Sequence, residues 1–485
     1  MNKELREKYE EVIGLEVHVQ LLTKTKAYSS DTNEYGALPN TNISVINLAH
    51  PGTLPRSNKQ VFDFAIKMGL ACKCDITEFN IYDRKNYFYP DLPKGYQLTQ
   101  DTTPICMAGE VEITTKSGDT KTIQLNRIHM EEDTGKSSHL DGETDTLLDL
   151  NRAGVPLLEI VTEPVIKNSE EAYAFVTELR KMVRYLGICD GNLEEGSMRC
   201  DANVSIRLRG TDVLNPKVEV KNMNSIRNVQ RAIEGEIDRQ IELTEQGIAI
   251  ESQTRMFDAG EGITHALRSK EEANDYRFHP EPDLQPVVVD QKWIDEIKMS
   301  MPALPRELMR KFVKKYKLPA YDAAVLTDQK DVALFFDELC TKTTNYKQAS
   351  NWVMGAVKSY INELTLAIKD FPISIDRLAG LIDLVQENKV SSSMANQQLF
   401  PEMAKQTDKS ALQLAEELGI IQDSNEDSMQ PIIDEVLSKF PNEVARYKEG
   451  QKQLLGMFMG QVMKAGKGKV DPKVATKLLK DTLDN

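Results

Sequence analysis

Cysteine, aromatic residues and long apolar segments are all scarce in this chain of 485 residues. Its six cysteines are too few for the disulfide framework of a small secreted domain, so we expect reduced thiols. No apolar run approaches the roughly 20 residues that a membrane-spanning helix needs. The start of the chain, MNKELREKYEEV, is charged and partly acidic, unlike a signal or transit peptide. These absences predict a cytoplasmic protein without membrane contact.

Basic residues are also in the minority, because 60 lysines and arginines oppose 75 aspartates and glutamates and give a net charge of −15. Such a charge argues against a protein that coats nucleic acid nonspecifically. The charge is nevertheless segregated, since residues 446–485 carry nine bases and four acids. The bases of this tail are Arg446, Lys448, Lys452, Lys464, Lys467, Lys469, Lys473, Lys477 and Lys480. They predict contacts with nucleic-acid phosphates, and a solvated helix end is the alternative.

Several catalytic motifs are missing as well. The sequence has no GxGxxG after a strand pattern, no HExxH, no GxSxG and no cysteine–histidine arrangement readable as a triad. The run TGKS at residues 134–137 ends like a P-loop, but Met130 stands where GxxxxGK[ST] needs its first glycine. The segment His129–Ser137 instead contains three consecutive acids, which are costly to bury without a cation. Any phosphate chemistry here lies outside the P-loop framework.

The hydrophobic pattern changes near residue 290. Before it, runs such as VIGLEVHVQLL alternate with period two, and helical patterns interrupt them at Lys59–Cys72, Ser169–Leu186 and Ile226–Gln246. After it, apolar residues recur at helical spacing, with prolines between the helices. The pattern predicts an α+β fold. We expect a largely antiparallel, sheet-rich domain over residues 1–292, an all-helical domain over 293–405 and a small helical tail over 406–485.

The first strand pattern carries a candidate metal site. Alternation in VIGLEVHVQ places Glu16 and His18 on one face with Gly14 and Gln20, and the apolar residues on the other. A carboxylate and an imidazole two residues apart can ligate one ion. The simpler alternative is a half-exposed strand with an ordinary polar face.

Isolated acids elsewhere extend this candidate. Glu159 interrupts an apolar strand pattern, and Glu131 and Glu132 lie in the acidic segment. Carboxylates from several strands with one imidazole are typical of an oxygen-dominated site for Mg²⁺ or Mn²⁺. The alternative is that each acid forms a structural ion pair with a lysine or arginine. We expect His129 to be structural.

Three further segments concentrate polar groups. Bases, aromatic rings and acids alternate in DRKNYFYPD, residues 83–91, where cations suit phosphate oxygens and rings suit stacking on a base. An aromatic turn that packs on the sheet explains the same pattern. Polar residues also crowd the strand ends in residues 194–203 and 219–225, where ordinary loop chemistry is the alternative.

The chain resembles the B subunit of the tRNA-dependent amidotransferases, the GatB family, over essentially its whole length. The ordered motifs that carry the resemblance are VIGLEVHVQ, DRKNYFYPD, HMEEDTGKS, DLNRAGVPLLEIVTEP, EEGSMRCDANVS, EVKNMNS, DYRFHPEPD, NWVMG and GQVMKAGKGKVDP. The resemblance implies a cradle-shaped catalytic domain, a helical domain and a YqeY-like tail that contacts tRNA. It also implies a heterotrimer with an amidase-type A subunit, which releases ammonia from glutamine, and a small C subunit.

The resemblance implies an activity, the ATP-dependent transamidation of misacylated Glu-tRNA(Gln), Asp-tRNA(Asn) or both. ATP would phosphorylate the side-chain carboxylate, and ammonia would then displace the phosphate. The implied metal ligands are Glu16, His18, Glu132 and Glu159. The implied catalytic residues are Glu132 and Lys85, with Lys85 either stabilising the phosphoryl group or lining the ammonia path. We assign ATP binding to Arg199, Asp201 and Lys221. The alternatives are a non-catalytic tRNA-binding scaffold of the same complex and a metal-dependent hydrolase that acts alone.

The sequence departs from part of the family in one respect. Some members hold a structural zinc ion with a C-x-C and a later C-x-x-C near the N-terminus. The aligned positions here are Ser29, Asp31, Ser44 and Asn47, which offer no thiolate. We therefore predict no structural zinc.

Overall fold

The computed structural model describes residues 3–140, 142, 144–269, 276–422, 426–466 and 470–484. The chain forms two compact units, Met1–Leu304 and Pro305–Asn485. All strands of the described residues belong to the first unit, and the elements of the second unit are helices. This distribution confirms the predicted α+β fold. The predicted division at residues 292/293 and 405/406 stays a prediction.

A large sheet dominates the first unit. Its strands pair in the order β15-β14-β13-β12-β1-β11-β8-β6-β2, with β7 added beside β8, and all neighbours except the parallel pair β13–β14 are antiparallel. The strands are β1 (Tyr9–Gln20), β2 (Asp75–Ile76), β3 (Phe79–Asn80), β4 (Asp83–Asn86), β5 (Tyr96–Thr99), β6 (Cys106–Met107), β7 (Glu110–Thr114), β8 (Thr120–Glu132), β9 (Lys136–His139), β10 (Thr146–Asp149), β11 (Pro156–Thr162), β12 (Met198–Leu208), β13 (Val218–Lys221), β14 (Gln253–Asp258), β15 (Ile263–Ser269), β16 (Arg277–Pro280) and β17 (Val287–Val288).

The three helices expected within the first unit are confirmed, each ending within one residue of its predicted end. The helices of this unit are α1 (Lys3–Arg6), α2 (Lys59–Ala71), α3 (Ser169–Leu186), α4 (Ile226–Glu245) and α5 (Gln291–Met299). The N-caps of α3 and α4, Asn168 and Ser225, accept backbone N–H groups of their first turns, and Gly187 ends α3 in the left-handed conformation at φ 68°.

One hydrophobic core joins this sheet to its helices. The apolar face of β1 contributes Ile13, Leu15 and Val17, each fully buried, and α3 and α4 contribute residues such as Phe175 and Ile233. Burying each such side chain stabilises the fold by about 1.5–3 kcal/mol. Because strand residues alternate, the same register turns the polar residues of β1 to the opposite face of the sheet.

A β-bulge in β8 changes the phase of that strand. Val161 of β11 pairs with Arg127, whereas the next residue, Thr162, pairs with Leu125, so Asn126 is the extra residue. Ile123 and Leu125 are buried before the bulge, and Ile128 and Met130 are buried after it. The bulge thereby places Arg127, His129 and Glu131 on the polar face.

The second unit is built from packed helices. The helices are α6 (Pro305–Lys315), α7 (Ala320–Leu326), α8 (Lys330–Leu339), α9 (Tyr346–Trp352), α10 (Lys358–Glu363), α11 (Ile375–Gln386), α12 (Ser392–Met394), α13 (Phe400–Lys405), α14 (Ala411–Glu417), α15 (Glu426–Lys439), α16 (Pro441–Lys448), α17 (Leu454–Ala465) and α18 (Pro472–Asp484). Pro305 begins α6 and Pro319 precedes α7, as the sequence predicts. Helices α15 to α18 share a core around Ile433, Phe458 and Leu479. None of the described helices has both the length and the apolar character needed to cross a bilayer.

Lys26 is an unusual component of the first unit because its side chain is completely buried. Its Nζ has no hydrogen-bond partner among the described residues. Burial lowers the pKa of this amine from 10.5 to about 8, although nearby Asp31 and Glu132 favour the charged form. The ammonium form is therefore a cost to the folded state at neutral pH.

We expect Lys26→Met to raise the free energy of unfolding at pH 7 by about 1–3 kcal/mol, because it removes a desolvated charge. The folded-state pKa lies below the unfolded one, so the unfolded chain binds more protons between the two values. Wild-type stability should consequently rise with pH from about 8 to 10.5, and the variant should lose this dependence.

Urea unfolding at pH 7 and pH 10 measures both effects. The control is Lys24→Met, since Lys24 is exposed two residues away and should change stability little. A loss of stability at pH 7 in Lys26→Met would show that its amine makes a favourable interaction.

Candidate functional site

A row of charged and imidazole side chains crosses four neighbouring strands of the large sheet. Arg199 of β12 pairs with His18 of β1, His18 pairs with Glu159 of β11, and Glu159 pairs with His129 of β8. Residues that are directly opposite in register project from the same face. The antiparallel pairing therefore brings together side chains that are up to 181 positions apart in the chain.

A compact cluster forms at the centre of this row. The Nε2 atom of His18 lies 3.5 Å from Glu159 Oε2, and the Nε2 atom of His129 lies 3.1 Å from the same oxygen. Glu131 belongs to the next row. Its Oε1 lies 3.4 Å from His129 Nε2, and its Oε2 lies 4.0 Å from His18 Nε2. Lys85 of β4 places its Nζ 3.6 Å from Glu131 Oε1, and this oxygen also accepts a hydrogen bond from Thr99 Oγ1 at 2.9 Å.

The electrostatics of this cluster favour the charged forms despite burial. Burial opposes protonation of His129, but hydrogen bonds to Glu131 and Glu159 outweigh it and raise the pKa of His129 to about 9. Burial likewise opposes ionisation of Glu131, but Lys85 and His129 lower its pKa to about 2. The pKa of Glu159 lies well below its usual range because His129 and His18 outweigh burial. The two buried carboxylates are thus held in their charged forms by His18, His129 and Lys85.

The donor atoms of this cluster fit a divalent cation. One ligand atom from each of His18, Glu131 and Glu159 lies within 4.8 Å of the others. Two carboxylates and one imidazole suit Mg²⁺ or Mn²⁺. His129 carries a second feature of the site, since its Nδ1 is buried without a hydrogen-bond partner among the described residues.

The cluster contains Glu131 and not Glu132, the acid that the sequence favours. Glu132 follows Glu131 and therefore points to the opposite face of β8, where it contacts Lys94 and accepts the backbone N–H of Leu98 at 2.9 Å. Glu16 lies one row from the cluster and accepts a hydrogen bond from Asn203 at 2.8 Å. Burial, followed by the charge of Glu159, raises the pKa of Glu16.

His129 is the cluster member that the sequence-based selection of ligands leaves out. The sequence predicts a structural role for it, yet it contacts both Glu131 and Glu159. The signal is present in the sequence, because period-two alternation puts residues 129 and 131 on one face of a strand.

The residues assigned to ATP binding lie on the same face, in and beside the central row. Arg199 donates to Asp133 at 2.7 Å, and Asp133 also accepts a hydrogen bond from Gln20 at 2.9 Å. Lys221 contacts Asp201 at 2.8 Å and Glu219 at 2.9 Å. Arg199 therefore lies beside His18, whereas Asp201 and Lys221 lie further along the β12–β13 side of the cluster. Both cations are already paired with carboxylates.

The aromatic segment of residues 83–91 divides its side chains between two environments. Lys85 reaches the cluster, as described above. Phe88 and Tyr89 are instead exposed, at 87% and 61% of their surface. Tyr87 packs edge-on against Tyr276 with ring centroids 5.4 Å apart. The packing alternative therefore holds for Tyr87, whereas Phe88 and Tyr89 present their rings to solvent.

Three of the described bases of the C-terminal tail lie on one helix face. Lys473, Lys477 and Lys480 are exposed on α18, which buries Ala475 and Leu479 on its other side. Lys467 and Lys469, which are also predicted to contact nucleic-acid phosphates, lie outside the described residues.

The four positions aligned with zinc-binding cysteines form a hydrogen-bonded group. The Asp31 carboxylate accepts from Ser29 Oγ at 3.0 Å, from the Ser44 backbone N–H at 2.9 Å and from Asn47 Nδ2. Asn47 also donates to Ser29 at 2.9 Å. This polar network holds together the loop segments that the four residues come from. The absence of zinc stays a prediction.

We expect Asp31→Ala to lower the free energy of unfolding by about 1–3 kcal/mol, since it takes an acceptor from donors on the buried residues Ser29 and Asn47. Urea unfolding measures the loss, with Glu34→Ala in the same loop as an exposed control.

Elemental analysis of the purified full chain tests the zinc prediction. A stoichiometric zinc content would contradict it.

Comparison with known proteins agrees with the resemblance noted in the sequence. The family model described as the GatB/GatE catalytic domain matches residues 11–295, and a second model, described as GatB domain, matches residues 334–483. The chain is 46% identical to the B subunit of the aspartyl/glutamyl-tRNA(Asn/Gln) amidotransferase of Chlorobium limicola, over 98% of this chain and 100% of that protein. It is 45% identical to the corresponding protein of Salinibacter ruber, over 99% and 97% of the two chains. The chain therefore belongs to the GatB family.

Proposed function

We propose that this protein is the subunit that performs ATP-dependent transamidation of misacylated Glu-tRNA(Gln), Asp-tRNA(Asn) or both. The single observation that carries the proposal is the buried cluster of His18, Glu131 and Glu159 with Lys85 beside it. Family membership and the names of the relatives support the same activity.

The chemistry needs the kind of site that the polar face offers. Ammonia does not displace water from a carboxylate at neutral pH, so the carboxylate oxygen first attacks the γ-phosphorus of ATP, releasing ADP and forming an acyl phosphate. Ammonia then attacks the acyl carbon and inorganic phosphate leaves. Phosphoryl transfer depends mainly on positioning and on stabilising the charge of the moving group. A cluster of fixed charges on a rigid sheet supplies both.

Three groups of residues share these tasks. His18, Glu131 and Glu159 would hold Mg²⁺ or Mn²⁺, which neutralises phosphate charge when bound. Lys85 stands next to Glu131 and is suited to stabilise the transferred phosphoryl group. Arg199, Asp201 and Lys221 lie on one side of the cluster, on β12 and β13, on the face where the nucleotide would lie.

Three buried thiols of this chain are unsuited to releasing ammonia from glutamine. Glutamine hydrolysis by a cysteine nucleophile requires an accessible thiol with a depressed pKa. Burial instead raises the pKa values of Cys72, Cys189 and Cys200. As the family resemblance implies, we assign glutamine hydrolysis to an amidase-type A subunit, in a heterotrimer with a small C subunit in the cytoplasm.

A non-catalytic tRNA-binding scaffold is the alternative. The observation in its favour is that two imidazoles and Lys85 can balance Glu131 and Glu159 without any metal. Replacing single acids of the cluster distinguishes the two candidates. If the protein is only a scaffold, the complex should keep its transamidation activity without the cluster.

We expect Glu131→Gln and Glu159→Gln to lower transamidation by the assembled complex at least 100-fold while glutamine hydrolysis continues. Glu132→Gln is the matched comparison, because the sequence favours Glu132, whereas its side chain contacts Lys94 on the other face of β8. Transfer of ³²P from [γ-³²P]ATP to Glu-tRNA(Gln) measures the first step. Full phosphoryl transfer by both Glu131→Gln and Glu159→Gln would favour the scaffold.

The tail is proposed to bind tRNA through its bases. Replacing Lys464, Lys473 and Lys480 with glutamine should weaken tRNA affinity and reduce the slope of log K against log salt by about 2. Filter binding over a salt series measures both. The charge-matched control replaces Lys24, Lys73 and Lys217, which are exposed in the first unit. Equal effects in the two triple variants would exclude a specific role for the tail.

A further inference from the structure

Arg127 occupies the polar face next to the cluster but takes no part in its ion pairs. It lies on β8 two residues before His129, so its Cα is about 7 Å from that of His129 along the same face. Its cross-strand neighbours are Val161 on β11 and Met107 on β6. The side chains of both neighbours are apolar, so neither balances the charge of the guanidinium.

The guanidinium of Arg127 lacks the partners that the other cations of this face have. Lys85, Arg199 and Lys221 each contact a carboxylate. The Arg127 side chain has no hydrogen bond, ion pair or ring contact with any residue that the structure describes. It is half-buried, and its Nε is fully buried.

Such an arrangement is unfavourable for the isolated chain. Arginine stays protonated in proteins, so it cannot relieve the cost by losing its charge. A buried donor without an acceptor costs roughly 1–3 kcal/mol. No described contact of this side chain offsets that cost, which points to an acceptor that arrives with a ligand.

The chemistry of the position selects an anion of the phosphate type. A planar guanidinium binds two oxygens of a phosphate at once through parallel N–H bonds. The carboxylates of the cluster, Glu131 and Glu159, already have cationic partners. Among the described residues, Arg127 is therefore a cation of this face that is free to receive a second anionic group beside the cluster.

We propose that Arg127 binds the phosphate chain of the nucleotide and holds it against the cluster. This inference rests on the proposed function and adds a residue that belongs to neither the metal cluster nor the residues assigned to ATP binding. Arg127 then fixes the position of the triphosphate along β8, while the cluster acts on the group that is transferred.

The test compares Arg127→Gln and Arg127→Lys in the assembled complex with wild type. Equilibrium dialysis with [α-³²P]ATP and Mg²⁺ gives the Kd for the nucleotide. We expect Arg127→Gln to raise Kd at least 10-fold and Arg127→Lys to raise it less, because lysine keeps the charge but loses the two-pronged geometry. Binding of uncharged tRNA should be unchanged. The control is Arg207→Gln, since Arg207 lies on β12 and pairs with Glu10 away from the cluster.

Thermal unfolding of the same variants distinguishes ligand binding from a structural role. Because the Arg127 side chain has no described partner, its replacement should leave the melting temperature unchanged or raise it. Unchanged ATP affinity in both Arg127 variants overturns the inference and leaves the proposed function intact. A lowered melting temperature that accompanies weaker ATP binding also overturns it, since a structural role then explains both. A wild-type complex that binds no ATP refutes the proposed function itself, and the inference with it.

Discussion

The register between β1 and its two neighbours is the constraint on which this site depends. A shift by one residue would turn every side chain of β1 to the other face, placing His18 in the core and Val17 in solvent. The buried residues Ile13, Leu15 and Val17 prevent that shift, because each would lose its packing. The hydrophobic core thereby specifies the polar site on the other side of the same sheet. Rigidity at the cluster is a by-product of packing that involves none of its members.

The cluster itself contributes little to stability as an isolated group of charges. The net stabilisation from ions taken out of water is small, because their attraction works against their own desolvation, and removing one partner leaves an uncompensated buried charge. The carboxylates of Glu131 and Glu159 are nevertheless held together by cations from three separate strands, on His18, His129 and Lys85. A fold selected only for stability would place apolar residues there. The arrangement is better understood as a preorganised field for a charged substrate.

The sequence was most informative where a single periodicity decided the answer. Long alternating runs predict the α+β fold and put Glu16 and His18 on one polar face, whereas Glu159 stands out as an isolated acid in an apolar strand. Alternation alone could not choose between Glu131 and Glu132, because consecutive acids offer one carboxylate to each face. That choice depends on the phase of the strand, and the approach of Lys94 to Glu132 depends on tertiary structure. Cross-strand register, which joins Arg199 to His129 through two strands, leaves no mark in a single sequence.

The bulge at Asn126 has a consequence for how this chain can vary in length. Residues 127–131 alternate between site and core without a break, so one residue more or less within them would exchange the two environments. Arg127, His129 and Glu131 would then enter the core, and Ile128 and Met130 would face water. The exposed turn at residues 116–119, between β7 and β8, has no such restriction. Insertions and deletions among relatives should accumulate in that turn and stop at the bulge.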